Sequence, residues 1–130
     1  MPVRIEYTKD GIGVILYHEG VVTGEELYDS ITRVYKNKKF PSLKYWIGDR
    51  TNCTKYLPDI DCLRKIVELN KKESLRNPGM LLALVSPKDY SFGMSRMFQA
   101  YSEETQFKTE VLRDIDSAEK WIKKELNNTL

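Results

Sequence analysis

The stretch MLLALV, residues 80–85, decides the fold class of this chain. Its side chains are all apolar, so it lacks the alternation of apolar and polar residues that marks a strand with one wet face. In a parallel sheet with helices on both faces, the central strands have such continuous apolar runs. Residues 77–79 (NPG) end a helix before it, and residues 86–89 (SPKD) turn the chain after it. The stretch therefore predicts a central strand of a mainly parallel sheet.

Helices and further strands alternate on both sides of this central strand. Two strand-like segments joined by an Asp-Gly turn predict an N-terminal hairpin. The capping box at residues 23–26 (TGEE) predicts a helix N-terminus, with the Thr23 side chain bonded to the Glu26 amide and the Glu26 carboxylate reaching back. We expect strands at residues 4–8, 13–17, 43–47, 80–85 and 107–112, and helices between residues 23 and 41, between 58 and 77, at 92–104 and at 114–126.

The order of these elements, β-β-α-β-α-β-α-β-α, predicts an α/β fold. Alternating strands and helices give a mainly parallel mixed sheet with right-handed crossovers, and the N-terminal hairpin adds one antiparallel strand. The chain has 130 residues and shows neither an internal repeat nor a linker. We therefore expect one domain over residues 1–130.

The composition limits the classes of function. Lys and Arg total 21 and Asp and Glu total 19, so the net charge of +2 leaves no basic footprint, and we expect no nucleic-acid partner. The N-terminus lacks the apolar segment of a secretory signal, and no apolar run approaches a membrane span, so a cytoplasmic location is expected. Cys53 and Cys62 lack metal-ligand spacing and are expected to be free thiols. We expect no metal site and no cofactor.

Candidates for catalysis are few. His18 is the single histidine and follows the second predicted strand, where a surface or turn position is expected. A catalytic role would require distant residues to assemble around it, and the sequence offers no nucleophile, base and orienting group in one pattern. We therefore assign no catalytic residue.

A polar loop at residues 49–54 follows the predicted strand 43–47, at the sheet edge where open parallel sheets form their sites. Asp49 can position a hydroxyl or accept from backbone amides. Thr51 or Thr54 can accept a phosphate, which the N-terminus of the next helix would stabilise. The other interpretation is a turn in which Asp, Thr and Asn side chains cap the backbone. The sequence leaves both interpretations open.

The third predicted helix is unusually rich in methionine and aromatic residues. Met94, Met97, Phe98 and Tyr101 recur at i, i+3, i+4 and i+7, which is also ordinary core spacing. Methionine adapts to irregular partners, so the helix either packs into the core or forms one wall of an apolar pocket. The residues assigned to this pocket are Trp46, Tyr90, Phe92, Met94, Met97, Phe98 and Tyr101.

The chain resembles the SpoIIAA-like branch of the STAS superfamily, often described as STAS/SEC14-like. The order and spacing of several segments carry the resemblance: residues 20–27 (GVVTGEEL), 45–51 (YWIGDRT), 77–79 (NPG), 82–85 (LALV), 92–93 (FG), 96–97 (RM) and 100–101 (AY), together with Ala118 and Trp121. The resemblance implies a βα superhelix and a protein that is typically non-enzymatic. It also implies one of two roles, pocket or membrane binding of the SEC14 kind or regulation of anti-sigma factors.

In the regulatory relatives, the switch is a phosphorylated serine at the start of the helix after the third strand. Asp49 matches the aspartate of that motif, but no serine lies between Asp49 and Ile60. The resemblance therefore does not carry the phosphorylation switch to this chain.

Two functions are consistent with these observations. The first is a non-enzymatic module that binds a small apolar ligand or lipid beside the third helix, with peripheral membrane contact as a further expectation. The second is a STAS-type module that contacts a protein partner through the loop of Asp49, Thr51 and Thr54. A homodimer is compatible with both, because it is the commonest assembly of soluble oligomers.

Overall fold

The computed structural model describes residues 2–128, apart from the side chains of Tyr90 and Ser91. Seven strands and four helices follow one another in chain order, with three short 3-10 turns between them. The strands are β1 Val3–Tyr7, β2 Gly13–His18, β3 Gly20–Val22, β4 Tyr45–Asp49, β5 Cys53–Tyr56, β6 Leu81–Val85 and β7 Lys108–Leu112. The helices are α1 Gly24–Lys36, α2 Ile60–Glu73, α3 Asp89–Tyr101 and α4 Ile115–Asn128.

The main sheet has the strand order β1-β2-β4-β6-β7. β1 pairs antiparallel with β2, and every other pair in this sheet is parallel. β6 lies between β4 and β7, and all five of its residues are buried. The predicted α/β fold, the N-terminal hairpin and the buried strand at residues 80–85 are thus confirmed.

Helices cover both faces of the main sheet. On one face, α1, α2 and α3 pack over a large core that includes Leu16, Trp46 and Phe98. On the other face, α4 packs Ala118 and Ile122 against a smaller core that includes Ala83. Coverage on both sides explains why β6 is apolar at every position.

Two short strands depart from the predicted order. β3 and β5 have three and four residues, and they pair in parallel as a separate two-stranded sheet. Strands this short, with exposed residues such as Val21 and Lys55, carry too little periodicity to be found in sequence. They matter for the site because β5 takes up the last two residues of the predicted 49–54 loop, Cys53 and Thr54, and lies between the rest of that loop and α2.

The third helix begins earlier than the sequence analysis predicted. α3 starts at Asp89 rather than Phe92 and ends at Tyr101, and a 3-10 turn covers Ser102–Glu104. Asp89 lies in the first turn, where the helix dipole favours an acid. The extended backbone of Lys88 marks the helix boundary.

The capping box before α1 is only half formed. The Thr23 hydroxyl accepts from the Glu26 amide at 3.2 Å, as predicted. However, Glu26 Oε2 is buried and has no hydrogen-bond partner among the described residues, so this oxygen does not make the reciprocal bond that the pattern predicts.

Candidate functional site

A largely apolar cavity of about 50 Å³ lies between the main sheet and helices α1, α2 and α3. One water needs roughly 10–15 Å³ measured with a water-sized sphere, so the cavity has room for a few water molecules or a small apolar group. Its walls are formed by Leu16, His18, Leu27, Ile31, Tyr35, Trp46, Gly48, Arg50, Tyr56, Leu63, Ile66, Asn70, Leu82, Leu84, Phe98 and Phe107.

Alternation along two neighbouring parallel strands aims residues at this cavity. On β2, Leu16 and His18 face it, and on β4, Trp46 and Gly48 face it. Gly48 leaves space that a side chain would take: a Cβ atom there would lie 3.3 Å from Leu84 Cδ2 and 3.9 Å from the Nε2 atom of His18. The missing side chain at residue 48 therefore helps to keep the cavity open.

His18 forms part of the polar end of the cavity. It is 3% exposed, and its Nδ1 atom has no hydrogen-bond partner. Burial, the larger cause, and the nearby positive charge of Arg50 together lower the pKa of His18 from 6.5 to about 3. His18 is consequently neutral near pH 7 and is not an imidazolium acid. The expectation of a surface or turn histidine was wrong, because His18 is the last inward-facing residue of β2.

Arg50, directly after β4, is the second polar group at this end. It is 6% exposed. Its Nη1 atom donates to the Ser95 hydroxyl at 2.5 Å, and its Nη2 atom donates to the Tyr56 hydroxyl at 2.8 Å. Its Nε atom is buried and has no hydrogen-bond partner among the described residues. The guanidinium carbon also lies 4.0 Å from the centre of the Tyr56 ring.

The charge of Arg50 has no acidic partner within the described part of the chain. No aspartate or glutamate oxygen lies within ion-pair distance of it, and its partners are two hydroxyls and an aromatic ring. The adjacent carboxylate, Asp49, accepts from Thr51 instead. Removing a charge from water without a counter-ion is costly, so this arrangement requires an explanation.

A solvent-open cleft lies on the other side of Arg50 and Tyr56. Its volume is about 460 Å³, and Arg50, Cys53, Thr54, Lys55, Tyr56, Leu57 and Lys88 form its walls. Lys88 Nζ donates to the Cys53 carbonyl at 3.0 Å and so joins the start of α3 to β5. Arg50 and Tyr56 belong to both the cavity and the cleft, and they form the partition between them.

The structure distributes the pocket residues proposed from the sequence over several positions. Trp46 and Phe98 form part of the cavity wall. Phe92, Met94 and Tyr101 are half-buried and pack against the core on the same face of the sheet, without reaching the cavity. Met97 is also half-buried. The side chain of Tyr90 lies outside the described residues.

The 49–54 loop has the geometry of a capping turn. The Asp49 carboxylate accepts from the backbone amide of Thr51 at 2.9 Å and from its hydroxyl at 2.5 Å. Thr51 and Thr54 are exposed. Neither threonine stands at a helix start, because Thr51 precedes β5, Thr54 lies within β5, and α2 begins only at Ile60 with Asp59 as its N-cap. The helix dipole would therefore not stabilise a phosphate on either residue.

Neither cysteine has the features of a nucleophile. Both are free thiols, as predicted. Burial is the main cause that raises the pKa of Cys53 and of Cys62, which favours the protonated thiol. Within residues 2–128, no three histidine, cysteine or acidic side chains are placed to hold a metal ion.

His18 and Arg50 are the site residues that sequence reasoning missed. His18 had a readable signal, since it continues the alternation of Val14 and Leu16 on one face of β2. Arg50 had none, because arginines after strands are usually solvated and only tertiary packing buries this one.

The architecture places the chain in a known fold class. A mainly parallel sheet with an N-terminal hairpin, three helices on one face and one on the other is a SpoIIAA-like arrangement, as the sequence resemblance implied. In particular, the chain is similar to a crystal structure of an uncharacterized protein of the DUF3478 family with a SpoIIAA-like fold from Shewanella loihica PV-4. The TM-score is 0.56 at 15% sequence identity, over 92% of this chain and 91% of that one.

The fold is what this similarity establishes. No protein-family model matches the sequence, and no curated protein is significantly similar to it. No helix among the described residues has both the length and the apolar character needed to cross a membrane.

Proposed function

We propose that the protein is a non-enzymatic binding module that takes a small apolar ligand into the cavity between the sheet and helices α1–α3. The observation that carries this proposal is the cavity itself. Because Gly48 has no side chain, the space beside Trp46 stays open. Cores normally fill such space, because each lost contact costs stability. A cavity kept next to an aromatic wall is a ready binding site for an apolar group.

The chemistry of the cavity wall supports binding rather than catalysis. Among the described residues, neither a carboxylate nor a thiol belongs to the wall. Burial raises the pKa of Tyr35 and of Tyr56, and it lowers that of His18, so each is held in its neutral form near pH 7. General acid–base catalysis needs a group whose pKa lies near the working pH, and the wall offers none.

Helix α3 is the wall best suited to yield to a larger ligand. It contributes Phe98 to the cavity, and Phe92, Met94 and Tyr101 of the same helix are only half-buried. An outward shift of α3 would enlarge the cavity from a volume suited to a few atoms toward one suited to an alkyl chain.

Fluorescence of Trp46 tests the proposal directly. The chain has two tryptophans, and Trp121 belongs to α4 and packs against the smaller core on the other face of the sheet, so a Trp121→Phe variant isolates the signal of Trp46. Titration with benzene and with 1-octanol should shift the Trp46 emission in a saturable way. Native mass spectrometry of the same protein should show one molecule of the probe bound per chain.

Two glycine variants provide the matched comparison. Gly48→Ala places a methyl group in the cavity and should weaken binding of both probes by about tenfold or more, equivalent to about 1.4 kcal/mol. Gly93→Ala adds the same atoms where nothing lies within 4 Å and should leave binding unchanged. If neither benzene nor 1-octanol shows saturable binding to the parent protein, the proposal is refuted.

A further inference from the structure

We infer that the ligand of this cavity is an amphiphile with an anionic oxygen head group, a carboxylate or a phosphate, which binds Arg50 from the open cleft. The inference rests on the proposed function, since it assigns the apolar tail to the cavity and the head group to the cleft beyond it. It starts from the buried guanidinium, whose Nε atom lacks a partner.

The partners of Arg50 leave its charge uncompensated. Ser95 and Tyr56 supply neutral hydroxyl oxygens, and the second oxygen near Ser95 belongs to Ser86, at 2.7 Å from it. Ser86 and Ser95 are both fully buried. Neutral acceptors satisfy hydrogen bonds but leave the full positive charge in a medium of low dielectric constant. A bound anion would supply the missing charge and the missing acceptor for Nε.

The cleft beyond Arg50 has the complementary charge. Lys55 and Lys88 stand with Arg50 on its walls, and none of its wall residues is acidic. A groove between α1 and α2 shows the contrast, because Glu25, Asp29, Asp59 and Asp61 are among its wall residues. Of these two surface depressions, the cleft beside Arg50 is the one suited to an anion.

The shape of the partition fixes the orientation of the ligand. Arg50 and Tyr56 are shared by the cleft and the cavity, so a molecule that spans both must pass between or displace them. The guanidinium stacks on the Tyr56 ring, and the Tyr56 ring stacks on His18 at 6.3 Å between centres. A planar carboxylate or a phosphate matches the donor fork of a guanidinium, while the tail meets the neutral His18 and the apolar wall.

A head-group series tests the inference in the Trp121→Phe protein. The probes are octanoate, octyl phosphate and 1-octanol, which share one tail. We expect at least one anion to bind about tenfold more tightly than 1-octanol at low salt, with the advantage falling as salt rises. The tighter anion identifies the head group. Equal affinities of all three probes would overturn the inference and leave the proposed function intact, whereas failure of all three would overturn both.

Variants then locate the head group. Arg50→Gln should remove the preference for anions and keep the affinity for 1-octanol within about twofold. Arg33→Gln is the matched control, since it removes the same charge from an exposed arginine paired with Asp29 and should change neither affinity. If Arg50→Gln does not fold, Lys55→Gln, at an exposed position of the cleft, decides the matter. It should weaken binding of the anion several-fold, and an unchanged preference would refute the placement.

Discussion

Acidification should destabilise this protein through one residue, His18. Its imidazole is 3% exposed, and burial together with the charge of Arg50 lowers its pKa from 6.5 to about 3. In the unfolded chain, the His18 imidazole is therefore protonated near pH 6.5. In the folded chain, it is protonated only near pH 3. The contribution of neutral His18 to stability is complete above pH 6.5 and is lost progressively as the pH falls toward 3.

The size of this effect follows from the pKa difference. One pKa unit corresponds to roughly 1.4 kcal/mol, so lowering the pH from about 7 to about 5 should reduce the free energy of unfolding by about 2 kcal/mol. No other histidine titrates between about pH 7 and about pH 5, because His18 is the single histidine. The carboxylates of Asp10 and Asp114 have pKa values lowered from 3.8, so they stay ionised throughout it.

Urea denaturation at both pH values measures the loss. His18→Gln, which keeps a polar side chain of similar length without an ionisable group, should lose much less stability than the parent over the same interval. Proton NMR of the His18 ring should show no titration in the folded protein between about pH 7 and about pH 5. An equal loss in the His18→Gln variant, or a ring that titrates near pH 6.5, would refute the reasoning.

Two further predictions concern packing around the core. Tyr35→Phe removes the hydroxyl that donates to Asn70, and both residues are 4% exposed, so thermal or urea denaturation should show a loss of about 1–3 kcal/mol. A loss below about 0.5 kcal/mol would show that water entering the cavity replaces the hydroxyl. Gly13→Ala would bring a Cβ atom within 2.2 Å of the Tyr45 ring and should cost about 1–3 kcal/mol. Gly93→Ala, where nothing lies within 4 Å, should be neutral or stabilising by up to about 1 kcal/mol, and equal effects of the two glycine variants would contradict this account.

The main sheet was predictable because its strands carry strong periodic signals. The continuous apolar run of β6 and the charged, partly exposed β7 at the sheet edge indicate their places directly. The helix start at Thr23 was readable from its capping box, whereas the cap of α2 by the Asp59 carboxylate was found only in the structure. β3 and β5 were not, because three or four residues cannot establish a period and their pairing links segments about thirty residues apart.

The candidate site was harder to predict because its chemistry arises from packing between distant segments. Trp46 and Phe98 were assigned to a pocket from their composition alone, and the cavity that both residues line is visible only once the helices lie on the sheet. Arg50 obtains its surroundings from Tyr56 on β5 and Ser95 on α3, which follow it by 6 and 45 positions. No local sequence pattern indicates that these three side chains come into contact, since sequence signals describe one element at a time.

The position of Arg50 also explains why the polar loop and the apolar helix, which looked like competing sites in the sequence, lie at one place. Strand β4 ends at Asp49, whose carboxylate holds the turn by accepting from Thr51, and the next residue directs its guanidinium under α3. The capping turn thereby fixes the point at which a cation enters the apolar core. If that turn had only a structural role, an apolar residue at position 50 would pack at lower cost, because a buried charge without a counter-ion is unfavourable. In the proposed complex, the anionic head group would supply the counter-ion that Arg50 lacks among the described residues.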